Sequence, residues 1–509
     1  PYNADPYNAD PYNASNAEEY QAFVENDFLR PQDAPFSTFS IDVDTAAYST
    51  MRRYVNEGRR PPKDAVRLEE YVNYFSYDYM QPTDNKAFAT HVEVAACPWK
   101  SDHLLAKIGI KGKELTPEQR PSLNLVFLID VSGSMEASNR LPLVKRGLTE
   151  LVEMLQPKDR VAIVTYAGSA GLVLPSVSGS EKRAILDSID ALGTGGSTAG
   201  AQGIKTAYEV ARRYYDKDGQ NRVILCTDGD FNVGTTDNKT LEEMIGEEAK
   251  SGVFLTVLGF GMGNYKDERL STLAQRGNGN YGYIDTIAEA RKMLVEQLAG
   301  TLVTIAKDVK IQIDFNPARV GAYRLLGYEN RKLRDEDFNN DAIDAGEIGA
   351  GHTVTALYEL VPVGVKIPAA VDPSRYAPSR YESVERPVDE SQPTVDREKA
   401  DELMLVKLRY KEPDGTKSAL LEYPVVRPPD ENADYRLSED FRFAASVALF
   451  GMLLRDSRHT GDGNWSTVLE LATSGVRGNT HREEFVDLVK KCTKIVSGRT
   501  PDGAANGGF

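Results

Sequence analysis

Between residues 120 and 300, short apolar runs alternate with stretches of helical period. This alternation restricts the fold more than any other feature of the chain. Leu123–Ile129, Arg160–Tyr166, Leu172–Leu174, Asn221–Cys226, Val253–Phe260 and Tyr281–Ile284 read as strands. Several are apolar throughout, as expected of parallel strands covered on both faces. Leu143–Leu155, Lys182–Leu192, Ala199–Tyr215, Leu241–Lys250, Glu268–Arg276 and Ala288–Ile305 read as the intervening helices. In the first of these, Val144, Leu148, Leu151, Val152 and Leu155 form one apolar stripe. Strand and helix in alternation imply right-handed crossovers and an α/β fold, a doubly wound, mostly parallel, Rossmann-like sheet.

Open sheets of this kind bind ligands at the carboxyl ends of their strands. The first apolar run ends there in Asp130-Val131-Ser132-Gly133-Ser134, which a turn can aim at one point. Gly193–Gly200 is a glycine-rich loop leading into a helix, and it can bring the Thr198 hydroxyl to the same place. Val223–Cys226 is a further buried run, followed by Thr227-Asp228-Gly229, so Asp228 faces the same crevice. Carboxylates with hydroxyls make a hard, all-oxygen ligand set. It suits Mg²⁺ and, less exclusively, Ca²⁺ or Mn²⁺. The metal ligands read from the sequence are Asp130, Ser132, Ser134, Thr198 and Asp228. Asp230 reads as a cap of the following loop.

These three segments, in this order, resemble the metal-ion-dependent adhesion site of von Willebrand factor type A (VWA) domains. The resemblance implies that Ser132 and Ser134 bind the ion directly and that Thr198 joins in the ligand-engaged form. It implies that Asp130 and Asp228 act largely through water, and that an open coordination position accepts an acidic group of a protein partner. The stretches Ser37–Tyr48, Pro61–Tyr74, Gly259–Tyr265 and Gly349–Tyr358 widen the likeness. They resemble a bacterial VWA family with its own N-terminal domain and a C-terminal domain of unknown function. Many members look like envelope lipoproteins. That resemblance implies a cell-envelope location, with membrane attachment only through a lipid-bearing cysteine that this sequence does not contain.

The flanks differ in texture. Residues 1–16 carry the repeat Pro-Tyr-Asn-Ala-Asp and read as a disordered, polar tether. Residues 17–118 read as a small α/β domain. Its Asp44-Thr45 pair is expected to cap a helix through Tyr48, Met51 and Tyr54, and Val66–Phe75 is expected to form a second helix. Asp42 and Asp44 suggest capping before metal. The VWA domain is expected at 119–305. A C-terminal domain at 306–498 starts with antiparallel strands near Val309–Phe315, Ala322–Leu326, Thr353–Val361 and Leu403–Tyr410. It ends in helices Phe441–Leu454, Ser466–Thr473 and Arg482–Cys492. Residues 366–400 read as a long exposed loop and 499–509 as a disordered tail. Asp335–Asp344 is rich in oxygen ligands, but lacks the turn glycine and terminal glutamate of an EF-hand loop, so it reads as a solvated acidic loop before a calcium site.

Other chemistry finds less support. A net charge of −16 disfavours general nucleic-acid binding, which needs a basic face. No run of 18 apolar residues occurs, so no membrane-spanning helix is expected. Cys97, Cys226 and Cys492 form no CxxC pair, and Cys226 reads as a buried strand residue. No Gly-x-Ser-x-Gly elbow is present, and none of His91, His103, His352, His459 or His481 falls in the metal-site segments. The Gly259-x-Gly261-x-Gly263 run lacks the ending of a phosphate loop. The expectation is a non-enzymatic binding protein that captures a partner's carboxylate through a divalent ion. The alternative is an envelope scaffold in which the ion only stabilises the fold.

Overall fold

The computed structural model describes residues 20, 22–41, 43–83, 86–116, 118–167, 170–195, 200–229, 238–261, 267–297, 303–341, 343, 345–367, 399, 401–413, 415–426 and 437–497. The repeat at 1–16, Thr198, Asp230 and the tail therefore lie outside the described residues, as does nearly all of the expected loop at 366–400. The chain forms two compact units. One includes Pro117–Ala299. The other is discontinuous, joining Ala22–Thr116 to Gly300–Phe509.

Strands β1 (Phe36–Ser40), β2 (Phe88–Cys97) and β3 (Lys100–Gly112) precede the middle unit. Within it lie β4 (Leu123–Asp130), β5 (Arg160–Tyr166), β6 (Ala170–Ser178), β7 (Gln220–Thr227), β8 (Val253–Phe260) and β9 (Tyr281–Ile284). After it come β10 (Thr304–Phe315), β11 (Val320–Leu326), β12 (Ile348–Gly349), β13 (Thr353–Pro362), β14 (Glu402–Lys411) and β15 (Ser418–Val426).

The middle sheet runs in the order β6-β5-β4-β7-β8-β9. All of its pairings are parallel except β5 with β6. Every residue of β4 is buried, as its apolar run implies. After β4 the chain builds outward to β5 and β6, then returns to add β7 on the other side. The crevice between β4 and β7 is thus the switch point of the sheet, where such folds hold ligands. The helix Gly200–Arg213 crosses close behind β4 and β5, because Gly203 has no Cβ: one there would lie 2.8 Å from Tyr166 Cβ. The helix expected over Ala288–Ile305 is shorter. Its α-helical turn covers Ile287–Arg291, Lys292–Gln297 continue as a π-helix, and Thr304 already begins β10.

The second unit departs from the expected separate N- and C-terminal domains. β1 pairs antiparallel with β10, and β3 with β13, so segments far apart in sequence share the same two sheets. One sheet has the order β1-β10-β14-β15, with β12 on β10; the other runs β11-β13-β3-β2. Side chains alternate between the faces of a strand. In β13, Tyr358 enters an apolar core with Phe39, Ile311 and Val406 of the other sheet, while Leu357 enters a second core under the helices. The result is two sheets and a helical layer. That second core joins Tyr71 and Phe75 from before the middle unit to Phe443, Phe450 and Phe485 from after it, with Phe75 and Phe443 centroids 4.8 Å apart.

Several local expectations shift. The N-terminal helix spans Ala46–Asn56, and the Thr45 side chain at its N-cap makes no capping hydrogen bond. Glu70 accepts from Ala47 N at 2.8 Å instead, and Asp44 pairs with Arg331. The second helix is confined to Leu68–Asn73. β15 was not expected: Leu420 and Leu421 are adjacent and Pro424 interrupts the run, features an edge strand tolerates. No helix among the described residues is long and apolar enough to cross a membrane.

Candidate metal centre of the middle unit

Asp130 ends β4 and Asp228 follows β7, so the parallel pairing of these strands brings both acids to one sheet edge. Both are buried, with 0% of Asp130 and 2% of Asp228 exposed. A buried carboxylate needs donors. Asp130 Oδ1 accepts from Ser132 N at 2.9 Å, and its Oδ2 accepts from the Tyr166 phenol at 3.1 Å and Thr227 Oγ1 at 3.4 Å. Burial raises the Asp130 carboxyl above its usual pKa range and the negative charge of Asp228 adds to this, while hydrogen bonds from Ser132 and Tyr166 oppose it. Burial, followed by the charge of Asp130, pushes the Tyr166 phenol well up, so it stays a donor.

The turn after β4 places the Ser132 and Ser134 hydroxyls 3.0 Å apart. Gly195 N donates to Val131 O at 2.8 Å, holding the described part of the glycine-rich loop against this turn. Of the five residues read from the sequence, the structure therefore brings Asp130, Ser132, Ser134 and Asp228 together. Thr198 falls outside the described residues. A residue the sequence reading missed completes the arrangement. Arg140 Nη1 donates to Asp228 Oδ2 at 2.8 Å and to the Ser134 carbonyl. Arg140 immediately precedes the helix Leu141–Met154, and no motif singles it out.

Two buried carboxylates and two converging hydroxyls are the donor set of a hard divalent cation, and the residues present fit such an ion. Among the described residues no group of three or more His, Cys, Asp or Glu side chains is placed to hold a metal ion, so the donor set here consists of two carboxylates and hydroxyls. Along the acidic run at 335–344, Asp335 accepts from Thr38 Oγ1, Asp337 is held by Arg334, and the Asp341 carbonyl accepts from Lys411. These partners are those of a paired surface loop. The three cysteines are buried and unbridged.

This sheet order, with Asp-x-Ser-x-Ser closing its central strand, defines a VWA domain. Residues 124–297 match the family model for the von Willebrand factor type A domain. Residues 14–107 match the model described as von Willebrand factor, and 300–495 the model for the C-terminal part of the uncharacterized protein YfbK. The chain is 43% identical over 480 residues to YfbK of Escherichia coli strain K12, covering 92% of this chain and 80% of that one. It belongs to the YfbK family of bacterial VWA-domain proteins. A solved von Willebrand factor type A structure from Catenulispora acidiphila is 14% identical, with a TM-score of 0.41, over 92% of this chain and 91% of that one. Proximal thread matrix protein 1 from the mussel byssus, solved with a zinc-occupied adhesion-site motif, is 25% identical over 35% of this chain and 45% of that one, with a TM-score of 0.29.

Proposed function

We propose that the VWA domain is a divalent-metal-dependent protein-binding module that captures an acidic group of a partner, and that it works at the bacterial cell envelope. The observation that carries this reading is the convergence of two buried acids, Asp130 and Asp228, with the Ser132 and Ser134 hydroxyls at the switch point of the sheet. Ser132, Ser134 and Thr198 would hold the ion, with Asp130 and Asp228 as its carboxylates, and Mg²⁺ is the best match to such oxygens. When bound, the ion supplies a positively charged coordination position that a carboxylate can complete. The protein's own contribution is to hold Asp130 in a fixed orientation. Ser132 N, Tyr166 and Thr227 fix Asp130 before any ligand arrives. The envelope location draws on the polar Pro-Tyr-Asn-Ala-Asp repeat, whose composition suits a tether.

This is a binding reading, not a catalytic one. It draws on the donor set, since none of the five histidines falls in the sequence segments that build the VWA site. A scaffold in which the ion only stabilises the fold is the second reading. It draws on Asp130, whose donors already satisfy it as a structural carboxylate. Affinity capture from envelope extract with and without Mg²⁺, using the chain and its Asp228→Ala variant, separates the two. Capture that survives both chelation and Asp228→Ala would refute the adhesion-site reading.

A further inference from the structure

We infer that Arg140 is an internal cation that competes with the divalent ion for Asp228 and so sets the metal affinity of the site. The inference rests on the metal-binding reading above and adds a residue to it.

The Arg140 side chain is 16% exposed and that of Asp228 is 1% exposed, so their 2.8 Å ion pair is largely withdrawn from water. Desolvation offsets much of the Coulombic gain of such a pair, but taking away one partner leaves a buried charge uncompensated. The same Nη1 bonds the Ser134 carbonyl, on the turn that presents both hydroxyls. Arg140 therefore ties Asp228 to the metal-binding turn. Among the described residues Arg140 is the cation paired with Asp228. A divalent ion at the same oxygens would stand close to a guanidinium of like sign. Release of Arg140 from Asp228 removes that repulsion.

The fold makes room for the arginine. Gly261 has φ +86°, and a Cβ built on it would lie 2.3 Å from Arg140 Nε and 2.7 Å from its Cγ. A side chain at residue 261 would thus take the space that Arg140 occupies. The Gly261 carbonyl is in turn held by the Tyr283 hydroxyl. Gly261, which follows β8, and Tyr283 of β9 therefore shape the resting place of a side chain that precedes the helix Leu141–Met154.

The test is calorimetric titration of MgCl₂ into the full chain, its Arg140→Gln variant and its Arg140→Lys variant. Competition predicts that Arg140→Gln binds Mg²⁺ roughly tenfold more tightly, the scale of a lost charge pair. Arg140→Lys, with its charge but not its fork, should fall between the two. Unchanged or weaker Mg²⁺ binding by Arg140→Gln, beside clear binding by the parent chain, would overturn the inference and leave the metal site standing. Absence of binding by all three chains would instead overturn the metal reading on which it rests. Guanidinium ¹⁵N spectra of the unaltered chain give a second readout that needs no variant to fold. The Arg140 resonance should lose its ion-paired shift as Mg²⁺ is added, and a resonance that stays fixed at saturation would count against displacement.

Discussion

The Tyr166 hydroxyl donates to Asp130 Oδ2 at 3.1 Å, linking the ends of two neighbouring parallel strands through a buried carboxylate. Both groups are fully buried. Tyr166→Phe keeps the ring and removes only this donor. Hydrogen bonds to charged groups contribute about 1.5–3 kcal/mol, so the variant should lose stability on that scale. Hydrogen exchange at the amides of β4 and β7 in the full chain reads the loss locally. A change within about 0.5 kcal/mol, the ordinary range for neutral surface substitutions, would show that Tyr166 does not support Asp130.

The part of this site legible in sequence is the part written in consecutive residues. β4 and β7 could be read because burial on both faces leaves a continuous apolar run, and a strand's end fixes where the next acid points. Arg140 could not be read, because its pairing joins residues 88 apart in sequence, and an arginine before a helix is an ordinary surface residue in pattern. The discontinuous unit was hidden for a related reason. Alternation shows that Tyr71, Phe75, Phe443 and Phe485 seek burial, yet it does not say that they bury against one another. The pairing of β3 with β13 across the whole VWA domain is likewise a tertiary choice that overrides chain order.

Glu359 is the next place where a single change should be costly. Its carboxylate accepts from Arg324 Nη2 at 2.7 Å and Trp99 Nε1 at 3.2 Å, and its Oε1 lies 2.6 Å from His103 Nδ1. The four side chains come from β3, the turn before it, β11 and β13, so the network crosses the junction between the two sequence segments. Glu359→Ala would leave the Arg324 charge fully buried with its principal partner gone. The expected cost is about 3–5 kcal/mol, measured by urea unfolding of the full chain. A cost below about 1 kcal/mol would mean that Glu25, 3.5 Å from Arg324 Nη1, compensates on its own.

Acid should weaken this same unit. Burial raises the Glu359 carboxyl, but the His103 hydrogen bond and the Arg324 charge overcome it, so its pKa lies below the usual range. A depressed carboxyl contributes stability that is present above its unfolded value and lost as pH falls through the folded one. His459 acts in the same sense by the opposite route. Burial, then the Arg324 charge, lowers its pKa to about 4 from an ordinary 6.5. Between those values the unfolded chain binds the proton and the folded chain does not, so stability drops as pH falls through that window. Unfolding midpoints from pH 7 to pH 4 should decline, and His459→Gln should flatten the upper part of the slope. An unchanged slope in the variant would remove His459 from the account.

The two ends of the VWA insertion leave the discontinuous unit side by side. Gly351 N donates to Lys113 O at 3.0 Å and Ala350 N donates to Val303 O at 2.8 Å, so one turn holds the outgoing and the returning strand. The next bond along, Gly112 N to His352 O at 2.9 Å, continues the ladder into β3 and β13. An inserted domain whose ends meet in this way adds little constraint to its host. Replacing residues 114–302 with a short Gly/Ser linker should therefore leave a protein that unfolds cooperatively. It should retain the slow amide exchange of β3, β10 and β13. The buried Phe75–Phe443 contact supplies a check on the same molecule, because Phe443→Ala should cost about 3–5 kcal/mol with the insertion present or absent. A deletion that yields only aggregated or non-cooperative material would show that the host unit depends on its insertion to bring the two segments together.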